Sequence, residues 1–218
     1  MDTTKSFNID SLLHMSQLQT LEQQDYVQIP NSDQTIEFLI MLTKLMERWL
    51  QGGTLNPALI TQDHLSNNES QNQNIRNDFT LWLSDALTQK DLSVEERSTI
   101  QQLQHRLNAT TDSLKQYFRF PLNSYESHFA AYPVGHSYSR HCDQTKSNNR
   151  RYFSFVIYLN SDWKTEHGGE LVLYPEKKDS IKILPQIENM IVFKSHLEHE
   201  VKTGTRPRFS ITGWFRND

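Results

Sequence analysis

Cysteine is nearly absent from this chain: Cys142 is the only one among 218 residues. One cysteine cannot form an intramolecular disulfide, and it excludes a zinc site built from several cysteines. Blocks of basic residues are also missing, and 22 lysines and arginines against 26 acidic residues give a net charge of −4. This balance argues against binding to a nucleic-acid backbone, so we expect no nucleic-acid partner.

Long apolar runs are missing as well. No run is longer than "FLIML" at 38–42, whereas a membrane-spanning helix needs about 20 apolar residues. The first residues, "MDTTKSFNID", lack the basic and apolar regions of a signal peptide. Together with the single thiol, these features predict a soluble protein of a reducing compartment, and we expect a cytoplasmic one without a membrane partner.

The amino-terminal half is predicted to be helical. Apolar residues are dense at 35–50, and the two glycines that follow are a plausible helix stop. A second helix is predicted to begin at Ser93, which forms a capping-box pattern with Glu96 and precedes apolar residues at helical spacing. Between the helices, the polar stretch "NNESQNQN" at 67–74 predicts a mobile loop.

Short β-runs replace the helical pattern from residue 125 onward. There is no room for crossover helices between them, so we expect antiparallel sheets in a sandwich, a barrel or a jelly roll. Because amphipathic helices need a surface to cover, we predict a single α+β domain over 1–218. Residues 1–120 would be mainly helical support, and 125–218 the β core. The runs are "YESHFAAYP", "RYFSFVIYLN", "GELVLYP", "SIKILP", "MIVFKS" and "RFSITGWF".

The stretch "SRHCDQ" at 139–144 indicates a metal site. In a strand, residues i and i+2 point to the same face, so His141 and Asp143 would converge while Cys142 turns away. A third ligand from another strand is expected within "SHLEHEV", where His196 and His199 compete. Two histidines and one carboxylate on one face of a metal are typical of non-haem Fe(II) oxygenases.

Several motifs at these spacings resemble one family, the Fe(II)/2-oxoglutarate-dependent dioxygenases, and within it the prolyl 4-hydroxylase-like group. That group includes the hypoxia-inducible-factor prolyl hydroxylases and their bacterial relatives. The resemblance implies a double-stranded β-helix (jelly roll) with the N-terminal helices packed on its major sheet. The motifs are "YP" at 132–133, "YSRHCD" at 138–143, "VIYLNSDW" at 156–163, "GGELVLYPE" at 168–176, "HEV" at 199–201, "RFSITGWF" at 208–215 and, more weakly, "IRNDFTLWL" at 75–83.

The resemblance also assigns residues to roles. His141, Asp143 and His199 would hold the iron, and His199 is favoured over His196 because "HEV" and its spacing to Arg208 match the family. Arg208 would bind the far carboxylate of 2-oxoglutarate, the bidentate geometry that suits a guanidinium. The other residues assigned to the cosubstrate pocket are Tyr158, Tyr132, Leu171, Val201 and Thr212.

One departure from the family pattern concerns the turn after Tyr132. Relatives often read Tyr-Pro-Gly there, whereas this chain has Tyr132-Pro133-Val134. The conformation of that turn is therefore open at this point.

The implied activity is hydroxylation coupled to the oxidative decarboxylation of 2-oxoglutarate to succinate and CO₂. Fe(II), 2-oxoglutarate and O₂ are the implied cofactor and cosubstrates, and ascorbate (vitamin C) is a candidate reductant. We expect a prolyl residue of a cytosolic protein as the substrate, with a translation factor as a candidate, and a monomer or weak dimer. Two alternatives stay open: the same chemistry on a small molecule or a non-prolyl residue, and a non-catalytic jelly-roll binding module.

Substrate contacts are expected at the mouth of the pocket. Asp78 and Arg151 are predicted to lie close together there, because the "IRND" segment and the strand starting at Arg151 flank the metal strand. Arg76, Asp78 and the loop at 67–74 would form a lid over an extended peptide. Trp214 alternates onto the face of Arg208 and is assigned to the substrate as well.

Overall fold

The computed structural model describes residues 11–58, 76–144 and 149–218. The loop at 67–74, and with it most of the predicted lid, lies outside the described residues. None of the helices in the described ranges has the length and hydropathy of a membrane span.

Four helices precede the main β-region, and local signals set their ends. They are α1 (Met15–Gln24), α2 (Asp33–Gln51), α3 (Leu83–Ala86) and α4 (Val94–Phe118). At the start of α2, the Ser32 hydroxyl accepts a hydrogen bond from the Thr35 amide. At the start of α4, Ser93 and Glu96 form the predicted capping box. Both predicted helices are therefore present, and α2 ends before Gly52 as expected.

The strands form two antiparallel sheets that face each other. The seven-stranded major sheet has the order β1-β9-β6-β11-β4-β3-β2, and the four-stranded minor sheet the order β5-β10-β7-β8. This arrangement is the predicted double-stranded β-helix, and β1, β2 and β3 extend its major sheet beyond the β-runs expected from the sequence. The strands are β1 (Tyr26–Pro30), β2 (Asn56–Pro57), β3 (Phe79–Trp82), β4 (Ser124–Tyr132), β5 (Tyr138–His141), β6 (Arg151–Tyr158), β7 (Leu171–Tyr174), β8 (Ile181–Ile183), β9 (Asn189–Lys194), β10 (Glu198–Val201) and β11 (Arg208–Arg216).

The helices cover the outer face of the major sheet. Trp49 of α2 meets Phe129 of β4 edge to face, with ring centroids 5.2 Å apart. Buried side chains of α1, α2 and α4 share one apolar core with Phe129, Ile211 and Phe215 of the sheet. A second apolar cluster lies between the two sheets and includes Ala130, which adjoins Phe129 on β4. Successive residues of β4 thus contribute to different cores, as strand alternation requires.

In the turn after Tyr132, the residue with positive φ is Gly135. This is one position after Val134, which stands where the Tyr-Pro-Gly sequence has its glycine. The amide of His136 donates to the carbonyl of Pro133, which closes a four-residue turn. Gly135, not Val134, occupies the position with positive φ, at +80°. Only glycine adopts this conformation readily, so Val134 is accommodated because the neighbouring glycine performs the turn.

Candidate active site

The first two ligand candidates lie at the end of β5. His141 is the last residue of the strand, and Asp143 follows just beyond it. Across the minor sheet, His199 of β10 pairs directly with His141. Nε2 of His141 lies 3.5 Å from Oδ1 of Asp143, and Nε2 of His199 lies 3.4 Å from Oδ2. The three side chains offer ligand atoms that all lie within 4.8 Å of one another.

Main-chain carbonyl groups fix the orientation of both imidazole rings. Nδ1 of His141 lies 2.8 Å from the carbonyl oxygen of Ser139, and Nδ1 of His199 lies 3.0 Å from that of Leu197. Because a carbonyl can only accept, each Nδ1 carries the proton. Each ring then turns its Nε2 toward Asp143, which is how a second hydrogen bond commonly orients a metal-binding histidine.

The Asp143 carboxylate is buried and is held in place by a hydrogen bond from Ser154. Its Oδ2 accepts a hydrogen bond of 2.6 Å from the Ser154 hydroxyl, which lies 2.9 Å from the hydroxyl of Ser195. Burial would raise the pKa of Asp143, but His199, His141 and the Ser154 hydrogen bond together hold it well below its usual range. Burial lowers the pKa of His199 to about 4. The site therefore contains a carboxylate and a neutral imidazole, the forms that bind a cation.

His196 and Cys142 lie away from this cluster. The side chain of His196 is exposed, and the Cys142 thiol donates to the main-chain oxygen of His196 at 3.3 Å. Within residues 11–58, 76–144 and 149–218, the only group of metal-ligating side chains is His141, Asp143 and His199. The structure thus places His199, rather than its competitor, beside the other two predicted ligands.

Arg208 and Tyr158 provide unpaired donors inside the same barrel. Arg208 is 3% exposed and makes a 3.3 Å hydrogen bond to the Ser210 hydroxyl. Its guanidinium carbon lies 5.3 Å from the centre of the Tyr158 ring. Among the described residues, Nε of Arg208 and the hydroxyl of Tyr158 are buried without a hydrogen-bond partner. A buried cation beside an unpaired hydroxyl is costly without an anionic ligand, and the carboxylate of a dicarboxylic acid fits both groups.

The remaining pocket residues predicted from the sequence lie around these groups. One cavity is lined both by the three ligand candidates and by Arg208. Burial raises the pKa of Tyr132, so its phenol stays protonated. The guanidinium carbon of Arg208 lies 5.1 Å from the Tyr132 ring centre. The predicted residues that line this cavity besides the ligands and Arg208 are Tyr132, Leu171, Val201, Thr212, Trp214 and Arg76.

An outer cleft adjoins this cavity, and here the structure corrects one expectation. Asp78 does not reach across to Arg151: its two carboxylate oxygens accept hydrogen bonds of 2.6 and 3.0 Å from Arg76. Arg151 pairs with Glu126 at 3.2 Å and lies 3.6 Å above the ring of Trp214. Asp78 and Arg151, which were predicted to lie close together, therefore form no ion pair with each other, because each charge has another partner. Arg76, Arg151 and Trp214 line the outer cleft, whereas Asp78 lies buried behind Arg76.

Sequence reasoning missed three residues of the site. His128 and Tyr138 line both the cavity and the outer cleft, and Ser154 supports Asp143. Strand alternation offered a signal, because His128 shares a face of β4 with Tyr132, and Ser154 shares a face of β6 with Tyr158.

Comparison with known proteins agrees with this geometry. Residues 127–216 match the family model of the 2OG-Fe(II) oxygenase superfamily. The human prolyl hydroxylase EGLN3 is 33% identical over 91 residues, which cover 39% of this chain and 38% of the human protein. The match thus spans about two fifths of either protein.

Solved structures are similar over nearly the whole chain. A prolyl-4-hydroxylase from Pseudomonas putida superposes with a TM-score of 0.75 at 26% identity, covering 93% of this chain and 98% of that one. A prolyl hydroxylase from Trichoplax adhaerens, solved with a peptide fragment of hypoxia-inducible factor, gives a TM-score of 0.72 at 22% identity, covering 92% and 87%. The second match shows the shared fold.

The fold and the match over the barrel make this chain similar to the 2OG-Fe(II) oxygenase superfamily. Within that class the similarity is to prolyl 4-hydroxylases, as the motifs predicted. The double-stranded β-helix is confirmed by the same structures. The matched family is one of oxygenases that use Fe(II) and 2-oxoglutarate, and His141, Asp143 and His199 of this chain form a cluster that could hold a metal ion.

Proposed function

We propose that this protein is an Fe(II)- and 2-oxoglutarate-dependent dioxygenase that hydroxylates a prolyl residue in an extended segment of another protein. The observation that carries the proposal is the combination of two groups in one cavity. A cluster of two histidines and one carboxylate lines this cavity together with Arg208, whose guanidinium carbon lies 5.3 Å from the ring centre of Tyr158, and both Nε of Arg208 and the hydroxyl of Tyr158 are unpaired.

The donor set fits Fe(II). Two imidazole nitrogens and one carboxylate occupy one face of a metal and leave positions for other ligands. His141, Asp143 and His199 would hold the ion, and Ser154 would keep the carboxylate oriented. When bound, iron with 2-oxoglutarate supplies the O₂-dependent hydroxylation and the decarboxylation to succinate and CO₂. A redox-silent zinc ion at these ligands would not explain a buried arginine that needs a dicarboxylate.

The protein's own residues position the cosubstrate. Arg208 and Tyr158 would bind its far carboxylate, because their donors are the buried and unpaired ones. Apolar side chains surround that anion and keep water away from the reacting centre. Those that line the cavity include Leu171, Phe193 and Val201.

The outer cleft supports a peptide as the substrate. It shares Asp143, His128 and Tyr138 with the metal cavity and extends outward to Asn56 and Pro57. A channel that begins at the metal and continues along the sheet edge suits an extended chain rather than a compact small molecule. The relatives named as prolyl hydroxylases support proline as the target residue. A translation factor in the cytoplasm is the candidate target, which the sequence resemblance suggests.

A succinate-release assay tests the proposal. Purified protein is incubated with Fe(II) and 2-oxoglutarate, with and without a library of heptapeptides that carry a central proline. We expect slow succinate release without peptide, faster release with some peptides, and a mass gain of one oxygen on those peptides. Ascorbate is added in a parallel series to test it as a reductant. Turnover stimulated by a small molecule or a proline-free peptide would favour another substrate, and no turnover at all would favour a binding module.

A further inference from the structure

His128 lies at the junction between the metal cavity and the outer cleft. It belongs to β4, is 3% exposed, and lines both spaces. Its ring lies between two indole rings, with centroids 5.2 Å from that of Trp82 and 5.5 Å from that of Trp214. Trp82 is 43% exposed, so this row of three rings leads from the surface to the wall of the cleft.

The hydrogen bond to Arg76 determines which ring nitrogen of His128 carries the proton. Nε2 of His128 lies 3.4 Å from Nη2 of Arg76. A guanidinium has only donors, so Nε2 must accept and the proton must sit on Nδ1. Burial, together with the neighbouring Arg76, lowers the pKa of His128 to about 3 and keeps the ring neutral. Nδ1–H is buried without a hydrogen-bond partner among the described residues.

The charges around His128 favour an uncharged acceptor for this donor. The guanidinium of Arg76 is bound by both oxygens of Asp78, and that of Arg151 is paired with Glu126. Because each cation already has a carboxylate, an anionic ligand would gain little from either. A neutral carbonyl oxygen satisfies the Nδ1–H donor without bringing an unpaired charge into a buried site.

We propose that His128 donates a hydrogen bond from Nδ1 to a main-chain carbonyl oxygen of an extended peptide substrate, which lies against the rings of Trp82 and Trp214. The peptide carbonyl completes the one hydrogen bond that the folded protein leaves unmade on this ring. His128 is then a substrate-binding residue that sets the register of the peptide relative to the metal ligands. This inference rests on the proposed prolyl hydroxylase function.

Two amide variants of His128 distinguish the role of Nδ1 from that of Nε2. The amide nitrogen of asparagine reaches the place of Nδ1, whereas the longer side chain of glutamine reaches that of Nε2. His128→Asn therefore keeps the proposed donor, and His128→Gln keeps the contact with Arg76 but loses the donor. His128→Leu loses both, and His105→Gln, on the exposed side of α4, is the matched control.

The assay compares KM for the most active heptapeptide of the proline-centred library with succinate release in the absence of peptide. We expect His128→Gln and His128→Leu to raise the peptide KM about tenfold, the value of one hydrogen bond. His128→Asn and His105→Gln should stay within about twofold of the wild type. The KM for 2-oxoglutarate without peptide should be unchanged in His105→Gln, and in the three His128 variants it should change far less than the peptide KM changes in His128→Gln. An unchanged peptide KM in His128→Gln, or an equal loss in His128→Asn, would overturn the proposal.

A second measurement does not depend on turnover. In NMR spectra of protein labelled with ¹⁵N-histidine, the signal of His128 is identified because it is missing from the spectrum of His128→Asn. In the wild type this signal should have the chemical shifts of the Nδ1–H tautomer, and those of an Nε2–H tautomer would also overturn the proposal. If the wild type consumes 2-oxoglutarate but no library peptide stimulates it, the contact between His128 and a peptide carbonyl is ruled out, whereas the proposed dioxygenase activity is retained. If the wild type releases no succinate, the proposed function itself fails.

Discussion

The two faces of the major sheet differ in what they bury: the outer face packs apolar side chains against the helices, and the inner face lines the metal cavity. On β11, Ile211 and Phe215 point outward into the core shared with the helices, whereas Arg208 and Thr212 point inward to the metal cavity. The outer face gains free energy from apolar burial. The inner face buries a guanidinium and leaves donors unpaired, which costs free energy. Strand alternation thus lets one sheet pack against the helices on one side and hold the ligand-binding groups, beside the second apolar cluster, on the other.

The comparison predicts that changes on the inner face remove activity and spare the fold, while changes on the outer face do the reverse. The largest effect is expected at the metal ligands. His141→Ala, Asp143→Ala and His199→Ala should each reduce Fe(II) binding and turnover below detection, because two donors rarely hold a labile Fe(II). The check is titration of metal-depleted protein with Fe(II), followed by succinate release.

His196→Ala is the matched control for the metal site. Its side chain is exposed, so this variant should retain most of its activity. Full activity in any one of the three ligand variants would remove that residue from the metal site. An inactive His196→Ala beside an active His199→Ala would mean that the register of β10 differs from the one described.

The next largest effect is expected for Arg208→Met. Methionine fills a similar volume without the charge, so the variant should raise the KM for 2-oxoglutarate about tenfold to hundredfold, the value of a charge-assisted bidentate contact. Iron binding should not change. Because the guanidinium is buried without full pairing, the free energy of unfolding should be unchanged or raised by about 1–4 kcal/mol. An unchanged KM for 2-oxoglutarate would point to a different cosubstrate.

Ile211→Ala tests the opposite face of the same strand, three residues further along. Ile211 is fully buried against the helices, so its truncation should lower the free energy of unfolding by about 2–5 kcal/mol. The KM for 2-oxoglutarate, measured at a temperature where the variant stays folded, should match the wild type. We also propose that helices and barrel form one folding unit, so urea should unfold the variant in a single transition by circular dichroism and by tryptophan fluorescence. Two separate transitions would contradict that proposal.

Two of the three ligands could be predicted from a local signal, whereas the choice of His199 and the role of Arg208 came from the family resemblance. His141 and Asp143 are two residues apart, and Arg208 lies in a strand whose alternation is legible. The jelly roll followed from short strands without crossover helices, and the family resemblance narrowed the choice among antiparallel folds. The His141–Asp143 spacing and the strand alternation need only neighbouring residues, which is the range over which sequence patterns are informative.

The features that the sequence did not reveal depend on distant partners. The proton position on His128 is set by Arg76, which lies 52 residues away. The partner of Arg151 is Glu126, which lies 25 residues away on another strand. Strand β1 was missed because its pairing with β9 joins segments far apart in the chain. Such contacts are properties of the assembled sheet and carry no local signal.

The smallest effect is expected where α2 and α4 meet, far from the metal. Arg48 donates hydrogen bonds of 2.6 and 3.1 Å to the two carboxylate oxygens of Glu96, and its side chain is 45% exposed. An exposed ion pair contributes little, so Arg48→Ala should lower the free energy of unfolding by less than about 1 kcal/mol, and less again in high salt. The KM for 2-oxoglutarate should not change, because neither Arg48 nor Glu96 lines the metal cavity or the outer cleft.

The pH dependence of this small effect identifies the pair. The hydrogen bond from Arg48 lowers the pKa of Glu96 in the folded state. A carboxyl group with a lowered folded pKa stabilises the protein above its unfolded pKa of about 4.3, and this stabilisation is lost as the pH falls through the folded pKa. Urea titrations of the wild type and Arg48→Ala should therefore differ at pH 7 and converge in acid. A loss above about 2 kcal/mol, or a changed KM for 2-oxoglutarate, would mean that the helix layer shapes the cavity and that the two faces are coupled.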